Sequence, residues 1–292
     1  MYKLILILAG VLIIIYVLLS ALSFKDNYCA ERELWGINRN LIFIASRPES
    51  TTDYTINQLA HHYQDFTKKY KGSVYAESAQ LMMGNLYSLR KNYSQARLEF
   101  QKAIGSDQEL SAQAEFAIAK TYELEGLWYR ALLEYKNIIQ NYPKTSSGFS
   151  TPIYLTTHRV LSGDQKTYTD KAYADALVFY QKMAVNNPKS IIDYNSLRMI
   201  AICQLNLKDW SGTVTTMREI LLDYPVDKAI QEAVGAINLL CVTKLHDYDM
   251  AINIYQQFIQ KYPDHSVNPI LKKMIKDLQL LKSKKLVIHK ER

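Results

Sequence analysis

Cysteine and histidine are the side chains of this sequence that could bind a metal ion or form a disulfide. The three cysteines are Cys29, Cys203 and Cys241, and no two of them form a CxxC pair. An odd number of cysteines is a poor basis for a disulfide framework. His61 and His62 are the closest pair among the six histidines, and adjacent residues of a helix point in different directions. The spacing therefore predicts neither a disulfide framework nor a metal site.

The motifs that usually carry catalysis are missing from the sequence. It contains no phosphate-binding loop, no GxSxG elbow and no paired carboxylate motif. We therefore predict a binding protein that is not an enzyme and that uses no cofactor.

The positive charge of the chain is concentrated at its C-terminal end. Residues 272–292 carry eight Lys or Arg residues against Asp277 and Glu291, which places +6 of the total +7 in this segment. The rest of the chain is close to neutral, so the charge does not favour a nucleic-acid-binding surface. The basic tail could contact anionic lipid headgroups or an acidic partner, or it could be a solvated terminus.

The N-terminus contains an apolar segment long enough to cross a bilayer. Residues 4–22, LILILAGVLIIIYVLLSAL, carry no charge over 19 positions. As a helix they would span about 28 Å, close to the roughly 30 Å hydrocarbon core. The alternative is a cleaved secretory signal, because Ala21-Leu22-Ser23 has the form of a cleavage site. The length favours an uncleaved anchor, whereas Lys25, Arg32 and Arg39 do not favour export of the body that follows.

Two stretches 120 residues apart share the same pattern of small, aromatic and apolar positions and six identical residues. Residues 129–144 read YRALLEYKNIIQNYPK, and residues 249–264 read DMAINIYQQFIQKYPD, with Ala131 and Ala251 in matching positions. Both stretches close on Tyr-Pro, and proline cannot continue a helix. We predict that each stretch is a helix that ends at its Tyr-Pro pair, and the recurrence indicates a repeat protein.

The same pattern of small, aromatic and apolar positions occurs five times. The units begin near Glu77 and Ala112, continue through a displaced third unit, and begin again near Tyr194 and Glu232. Their small central positions, at intervals of 35, 45, 37 and 38 residues, are Ala96, Ala131, Ala176, Thr213 and Ala251. This pattern resembles the tetratricopeptide repeat family, in which each unit is a pair of helices.

The resemblance implies an all-α fold, a right-handed superhelix (α-solenoid) of about five to six helix pairs. We expect a capping helix at its C-terminal end and one transmembrane helix before it. We divide the chain into an anchor or signal segment at 1–24, a degenerate helix pair at 25–76, the solenoid at 77–265, and a capping helix with basic tail at 266–292. In the degenerate pair, residues 29–45 precede a second helix within 53–72. The third unit is expected to have a longer connection around Ser162–Asp170.

The repeat endings NYPKT, NNPKS, DYPVD and KYPDH resemble one branch of that family. This branch contains bacterial envelope proteins of outer-membrane assembly and the coordinator of the Tol–Pal system, and the resemblance extends over Ala30–Ser266. Lipoproteins of the branch have a small residue before the lipidated cysteine, but Tyr28 precedes Cys29 here. The apolar segment would then be the anchor, as in the ancillary subunit beside the bacterial Sec translocon.

The resemblance also implies a groove lined by the first helices of the units. Members that hold a C-terminal carboxylate use a Lys–Asn pair, whereas this chain has Leu81 with Asn85 and therefore no complete clamp. Mixed polar and apolar groups suit a peptide partner. The residues predicted to bind it are Asn85, Gln113, Phe116, Lys120, Glu123 and Arg198. Cys203 and Cys241 are instead predicted to be buried as small hydrophobic residues.

The sequence therefore predicts a membrane-anchored scaffold that binds a protein or peptide partner in cell-envelope assembly or protein export. The expected location is the bacterial inner membrane, with the repeats in the periplasm. One alternative is a cytosol-facing, membrane-tethered receptor or co-chaperone. A further alternative is a secreted periplasmic protein after signal cleavage.

Overall fold

The computed structural model of the chain is entirely helical in the residues that it describes. It describes the backbone of residues 2–47, 51–159 and 164–290, and the side chains of 12–14, 27–47, 51–159 and 164–283. These residues form thirteen α-helices and one π-helical turn, with no strand among them. The all-α prediction is confirmed, whereas the right-handed superhelix stays a prediction.

The first of two compact units extends from Met1 to Thr151. Its helices are α1 (Tyr2–Ser46), α2 (Asp53–Lys69), α3 (Val74–Leu89), α4 (Tyr93–Ala103), α5 (Gln108–Leu124) and α6 (Trp128–Asn141). Several of them begin at a polar residue that accepts a hydrogen bond from a backbone N–H of the first turn, as Ser73 does for α3 and Asp107 for α5. Such caps satisfy amide groups that have no partner inside the helix.

The second unit extends from Pro152 to Arg292, and the boundary between the units falls within α7 (Ser146–Leu155). Its further elements are α8 (Gln165–Asn186), α9 (Ile191–Asn206), α10 (Trp210–Asp223), α11 (Asp227–Leu240), a π-helical turn (Cys241–Leu245), α12 (Tyr248–Lys261) and α13 (Asn268–Lys290). The two quoted stretches are α6 and α12, and both helices end next to their Tyr-Pro pair, as predicted.

The positions that define the repeat are packing positions. All five small central residues, including Thr213, are buried, and the aromatic side chains of Phe100, Tyr135, Tyr180 and Tyr255 are almost completely enclosed. Gly84 shows why small residues are needed, since a Cβ atom built there would lie 2.4 Å from ring atoms of Phe100. Small residues let two helices approach closely, and large neighbours then fill the remaining space.

The two helices before the first full repeat pack against each other and against α3. Leu34, Leu41 and Ile44 of α1 form one hydrophobic cluster with side chains of α2 and α3. Leu59, Tyr63 and Phe66 of α2 all belong to this cluster. Helix α1 therefore covers the apolar surface at the start of the repeats.

Helix α8 begins earlier than the sequence indicated. A connection was expected around Ser162–Asp170, but residues 165–170 belong to the helix. The backbone N–H of Lys166 donates to the Asp164 carboxylate at 2.9 Å, which caps the first turn. Lys166 and Lys171 each form an ion pair with an aspartate four residues further on, a spacing that stabilises a helix.

The predicted membrane span lies within α1. Most side chains of residues 4–22 lie outside the described residues, with Leu12–Ile14 as the exception. Within the part of the chain that the structure describes, no helix is both long enough and apolar enough to cross a membrane.

Candidate partner-binding site

An open cleft of about 570 Å³ lies in the first unit. Helix α1 contributes Leu41, Ile42 and Ala45 to its wall, and the ends of α3 and α5 contribute Leu89 and Leu124. Ile42, Leu89 and Leu124 are among the exposed large hydrophobic residues of the chain. The cleft therefore offers an apolar surface that the fold itself does not cover.

The reversal between α3 and α4 brings polar groups to the same cleft. Lys91 adopts a left-handed conformation with φ of 58°, and its N–H donates to the Ser88 carbonyl at 2.9 Å. The next residue, Asn92, caps α4. This tight turn places the Lys91 side chain at the cleft together with Ser88 and the half-buried Asn85.

These three polar side chains have groups available for a ligand. In the residues that the structure covers, Asn85, Ser88 and Lys91 make no side-chain hydrogen bond or ion pair. An amide can donate and accept, a hydroxyl can do both, and an ammonium group donates and carries charge. An apolar wall with a few polar groups is the usual composition of a binding cleft.

Four predicted site residues lie together on α5. Gln113 is exposed, while Phe116, Lys120 and Glu123 are half-buried. The Tyr135 hydroxyl donates to Glu123 Oε2 at 2.8 Å, and Lys120 Nζ lies 3.2 Å from the same oxygen. The Glu123 carboxylate is therefore already held by its own unit.

Arg198, the last predicted site residue, belongs to the second unit. Its Nε and Nη2 atoms donate to the two Glu232 carboxylate oxygens at 3.1 and 3.3 Å. Its guanidinium also lies over the Tyr194 ring at 5.9 Å. The structure thus places Asn85 in the cleft, groups four of the predicted residues on α5, and pairs Arg198 with Glu232. Binding of a protein or peptide by these six residues stays a prediction.

Sequence reasoning did not anticipate the contribution of α1 or of Lys91 to the cleft. Leu41, Ile42 and Ala45 of α1 all line the cleft, although none of them is among the residues predicted to bind a partner. Ile42 could have indicated this part of the cleft, because it is an apolar residue that lies outside the buried face formed by Leu34, Leu41 and Ile44.

The tyrosine before proline has a bonding role that the sequence did not reveal. The Tyr224 hydroxyl donates to Asp193 on the first helix of its own pair at 2.6 Å. At the corresponding place in the first unit, burial raises the pKa of the Glu115 carboxyl, and its interaction with Tyr142 partly opposes that rise. The bond from Tyr224 ties the end of α10 to α9, the first helix of the same pair.

The two buried cysteines behave as the sequence predicts. Cys203 and Cys241 are both fully buried and both are free thiols. Burial raises the pKa of the Cys203 thiol to about 12 and that of Cys241 to about 11. Thiols with such pKa values stay protonated near neutral pH and are poor nucleophiles and poor metal ligands.

Comparison with known proteins supports a tetratricopeptide repeat in this chain. The family model for the tetratricopeptide repeat matches residues 244–265, which include all of α12. No curated protein sequence matches the chain. The match covers one helix and its flanks, and the other helix pairs bury residues at the same repeat positions.

Three solved structures are similar in fold. YrrB, a TPR protein with an unusual peptide-binding site, is 15% identical, with a TM-score of 0.36, over 73% of this chain and 99% of its own. A tetratricopeptide repeat protein from Parabacteroides merdae is 9% identical, with a TM-score of 0.35, over 85% of this chain and 99% of its own. The TPR2AB domain of yeast Sti1, in complex with an HSP90 peptide, is 11% identical, with a TM-score of 0.34, over 87% of this chain and 99% of its own. These low values carry no argument about the function of this chain.

Proposed function

We propose that this chain is a membrane-anchored tetratricopeptide repeat scaffold that binds a protein or peptide partner in the cleft of its first unit. The observation that carries the proposal is the composition of this cleft. Asn85, Ser88 and Lys91, three polar side chains that have no side-chain partner among the described residues, line the cleft together with uncovered apolar side chains of α1, α3 and α5. The residues on α5 (Gln113, Phe116, Lys120 and Glu123) extend the proposed surface.

The partner would place an apolar side chain against Ile42, Leu89 and Leu124. Removing such a side chain from water stabilises a complex by about 1.5–3 kcal/mol. Asn85 and Ser88 would form hydrogen bonds with the peptide groups of the partner, which need partners once water is excluded. Lys91 would pair with an acidic residue of the partner.

The membrane anchor and the envelope role belong to the same proposal. The apolar segment at 4–22 and the likeness of the repeat endings to envelope proteins support it. The bacterial inner membrane, with the repeats in the periplasm, is the proposed location. The basic tail would contact anionic lipid headgroups or an acidic partner.

One observation favours a second candidate, a cytosol-facing receptor or co-chaperone. Lys25, Arg32 and Arg39 follow the apolar segment, and positive residues are retained preferentially on the cytoplasmic side. The cleft would bind its partner in the same way in both cases. A third version, a secreted protein after cleavage behind Ser23, would lack residues 1–23 when it is purified.

The cleft is tested by a double variant, Asn85→Ala with Lys91→Gln. The partner is first identified by affinity purification of the full chain in detergent, and its dissociation constant is then measured by calorimetry. We expect the double variant to raise this constant about tenfold, because two hydrogen bonds or ion pairs worth about 0.5–1.5 kcal/mol each are lost. Unchanged affinity would reject the cleft.

A matched control separates binding from stability. Lys136→Ala with Asn137→Ala changes the same residue types at two exposed positions of α6. This control should bind like the wild type, and both double variants should unfold at the wild-type urea concentration. A third variant, Lys120→Ala, reports separately on the surface along α5.

A further inference from the structure

Helix α1 has an exposed apolar stripe on the side opposite its buried residues. Tyr28, Trp35 and Ile42 follow one another at intervals of seven residues and are 56%, 62% and 70% exposed. Phe43 lies beside them and is 61% exposed. The buried side of the same helix segment is formed by Ala30, Leu34, Leu41 and Ile44. We name the exposed set, Tyr28, Trp35, Ile42 and Phe43, the α1 stripe.

Positive charges alternate with the aromatic residues of the α1 stripe. Arg32 and Arg39 are exposed and also seven residues apart. The Arg39 guanidinium lies 5.1 Å from the centre of the Trp35 ring. Neither arginine forms an ion pair within the part of the chain that the structure describes. Of the two acidic residues in this segment, Glu33 is paired with Lys69, and Glu31 is exposed beside the row, so the two arginines leave the stripe with a net positive charge.

The spacing of the α1 stripe suits a second helix. Residues seven apart drift by only about 20° around an α-helix, so they form a nearly straight row. From Tyr28 to Ile42 this row is about 21 Å long at 1.5 Å per residue. Tryptophan, tyrosine and arginine are also the residue types that dominate binding energy at protein interfaces.

We propose that the α1 stripe is a docking surface for an acidic amphipathic helix of a partner protein. The apolar face of this helix packs on Tyr28, Trp35 and Ile42, and its acidic residues pair with Arg32 and Arg39. Charge complementarity identifies this occupant, because a second copy packed in parallel would bring arginine against arginine, which is unfavourable. The proposal does not rest on the cleft, with which the stripe shares only Ile42.

The test is photo-crosslinking in the cells that produce the full chain. The photoreactive residue p-benzoylphenylalanine replaces Phe43, an exposed aromatic residue that the fold does not need. We expect a crosslink whose peptide, identified by mass spectrometry, is an acidic segment of another protein. Arg32→Glu with Arg39→Glu should reduce its yield at least tenfold, and exchange of the acidic residues of the partner for lysine should restore it.

The control reverses two other exposed charges, Arg130→Glu and Lys136→Glu on α6, and should leave the crosslink unchanged. Asn85→Ala with Lys91→Gln should also leave it unchanged, so that failure of the cleft and failure of the α1 stripe can be distinguished. A crosslink to a second copy of the chain, a crosslink to lipid, a yield that does not depend on Arg32 and Arg39, or no crosslink at all would each overturn the proposal.

Discussion

At the residue scale, the repeat depends on a few positions where side-chain volume cannot change. Ala131 is completely buried where α6 meets its neighbours, and Gly84 touches the Phe100 ring. Protein interiors are packed as closely as organic crystals, so an added methylene group would overlap with neighbouring atoms unless they move. Buried thiol and phenol side chains lie in closely packed positions of the same kind, and burial keeps them uncharged there.

Ala131→Leu is expected to destabilise the protein by about 1–3 kcal/mol, because overpacking forces neighbouring side chains and backbone to move. Urea unfolding followed by circular dichroism measures this change. Ala174→Leu makes the same substitution at an exposed position of α8 and should have little effect. Equal midpoints for the two variants would contradict the packing role of Ala131.

The Cys203 thiol makes stability depend on pH in the alkaline range. Its folded pKa of about 12 lies above the ordinary value of 9.0, because burial disfavours the thiolate. The stabilisation is therefore complete below pH 9 and is lost as the pH rises from 9 towards 12. One such group contributes a slope of up to about 1.4 kcal/mol per pH unit.

Urea midpoints measured from pH 8 to pH 11 test this expectation. The decline should be shallower in Cys203→Ala than in the wild type. Cys29→Ala removes an exposed thiol and should leave the decline unchanged, which makes it the matched control. A decline of equal slope in all three proteins would show that Cys203 does not contribute.

At the element scale, caps and charge pairs decide where the helices begin. Helix α8 starts at Gln165 because Asp164 caps it and ion pairs follow on its first turns. Helix α5 starts after Asp107, whose carboxylate accepts from the Leu110 N–H at 2.9 Å. Because α5 contains most of the predicted partner-binding residues, its cap supports the proposed surface.

Asp107→Ala should lower the free energy of unfolding by about 1 kcal/mol, the usual value for a lost N-cap. It should also speed hydrogen exchange of the first α5 amides. Asp107→Asn keeps an oxygen acceptor at the same place, so most of the stability should return. If the alanine variant exchanges its α5 amides at the wild-type rate, the cap has no role in ordering this helix.

At the scale of the whole molecule, the location of the repeats decides which partners they can meet. The proposed anchor at 4–22 leaves the body on one side of a membrane, and the sequence around it supports two orientations.

Labelling of a cysteine introduced after Arg292 distinguishes the orientations. The experiment uses intact cells, a membrane-impermeant maleimide and a chain with Cys29→Ala, since Cys29 is the exposed native thiol among the described residues. We expect labelling without permeabilisation, as for a periplasmic C-terminus. Labelling only after permeabilisation would place the repeats in the cytosol and reject the envelope role.

The positions of most helices and of most buried residues follow from the sequence alone. Helical periodicity repeats within one turn, so Ala131, Tyr135 and Ile138 identify a buried face from local spacing alone. Their recurrence around Ala251 and Tyr255 then identified the repeat. The start of α8 was the local feature that the sequence reading misplaced, because the loose pattern around the third unit concealed the cap at Asp164.

Which side chains share a site depends on how the helices pack, and the sequence alone does not predict it. Asn85, Ile42 and Leu124 meet in one cleft although they lie up to 82 residues apart in the chain. The pairing of Arg198 with Glu232 and the bond from Tyr224 to Asp193 likewise join different helices. Local spacing specifies the face on which a residue lies, whereas its neighbour across a cleft depends on how separate helices pack, and this packing is a sum of many distant contacts.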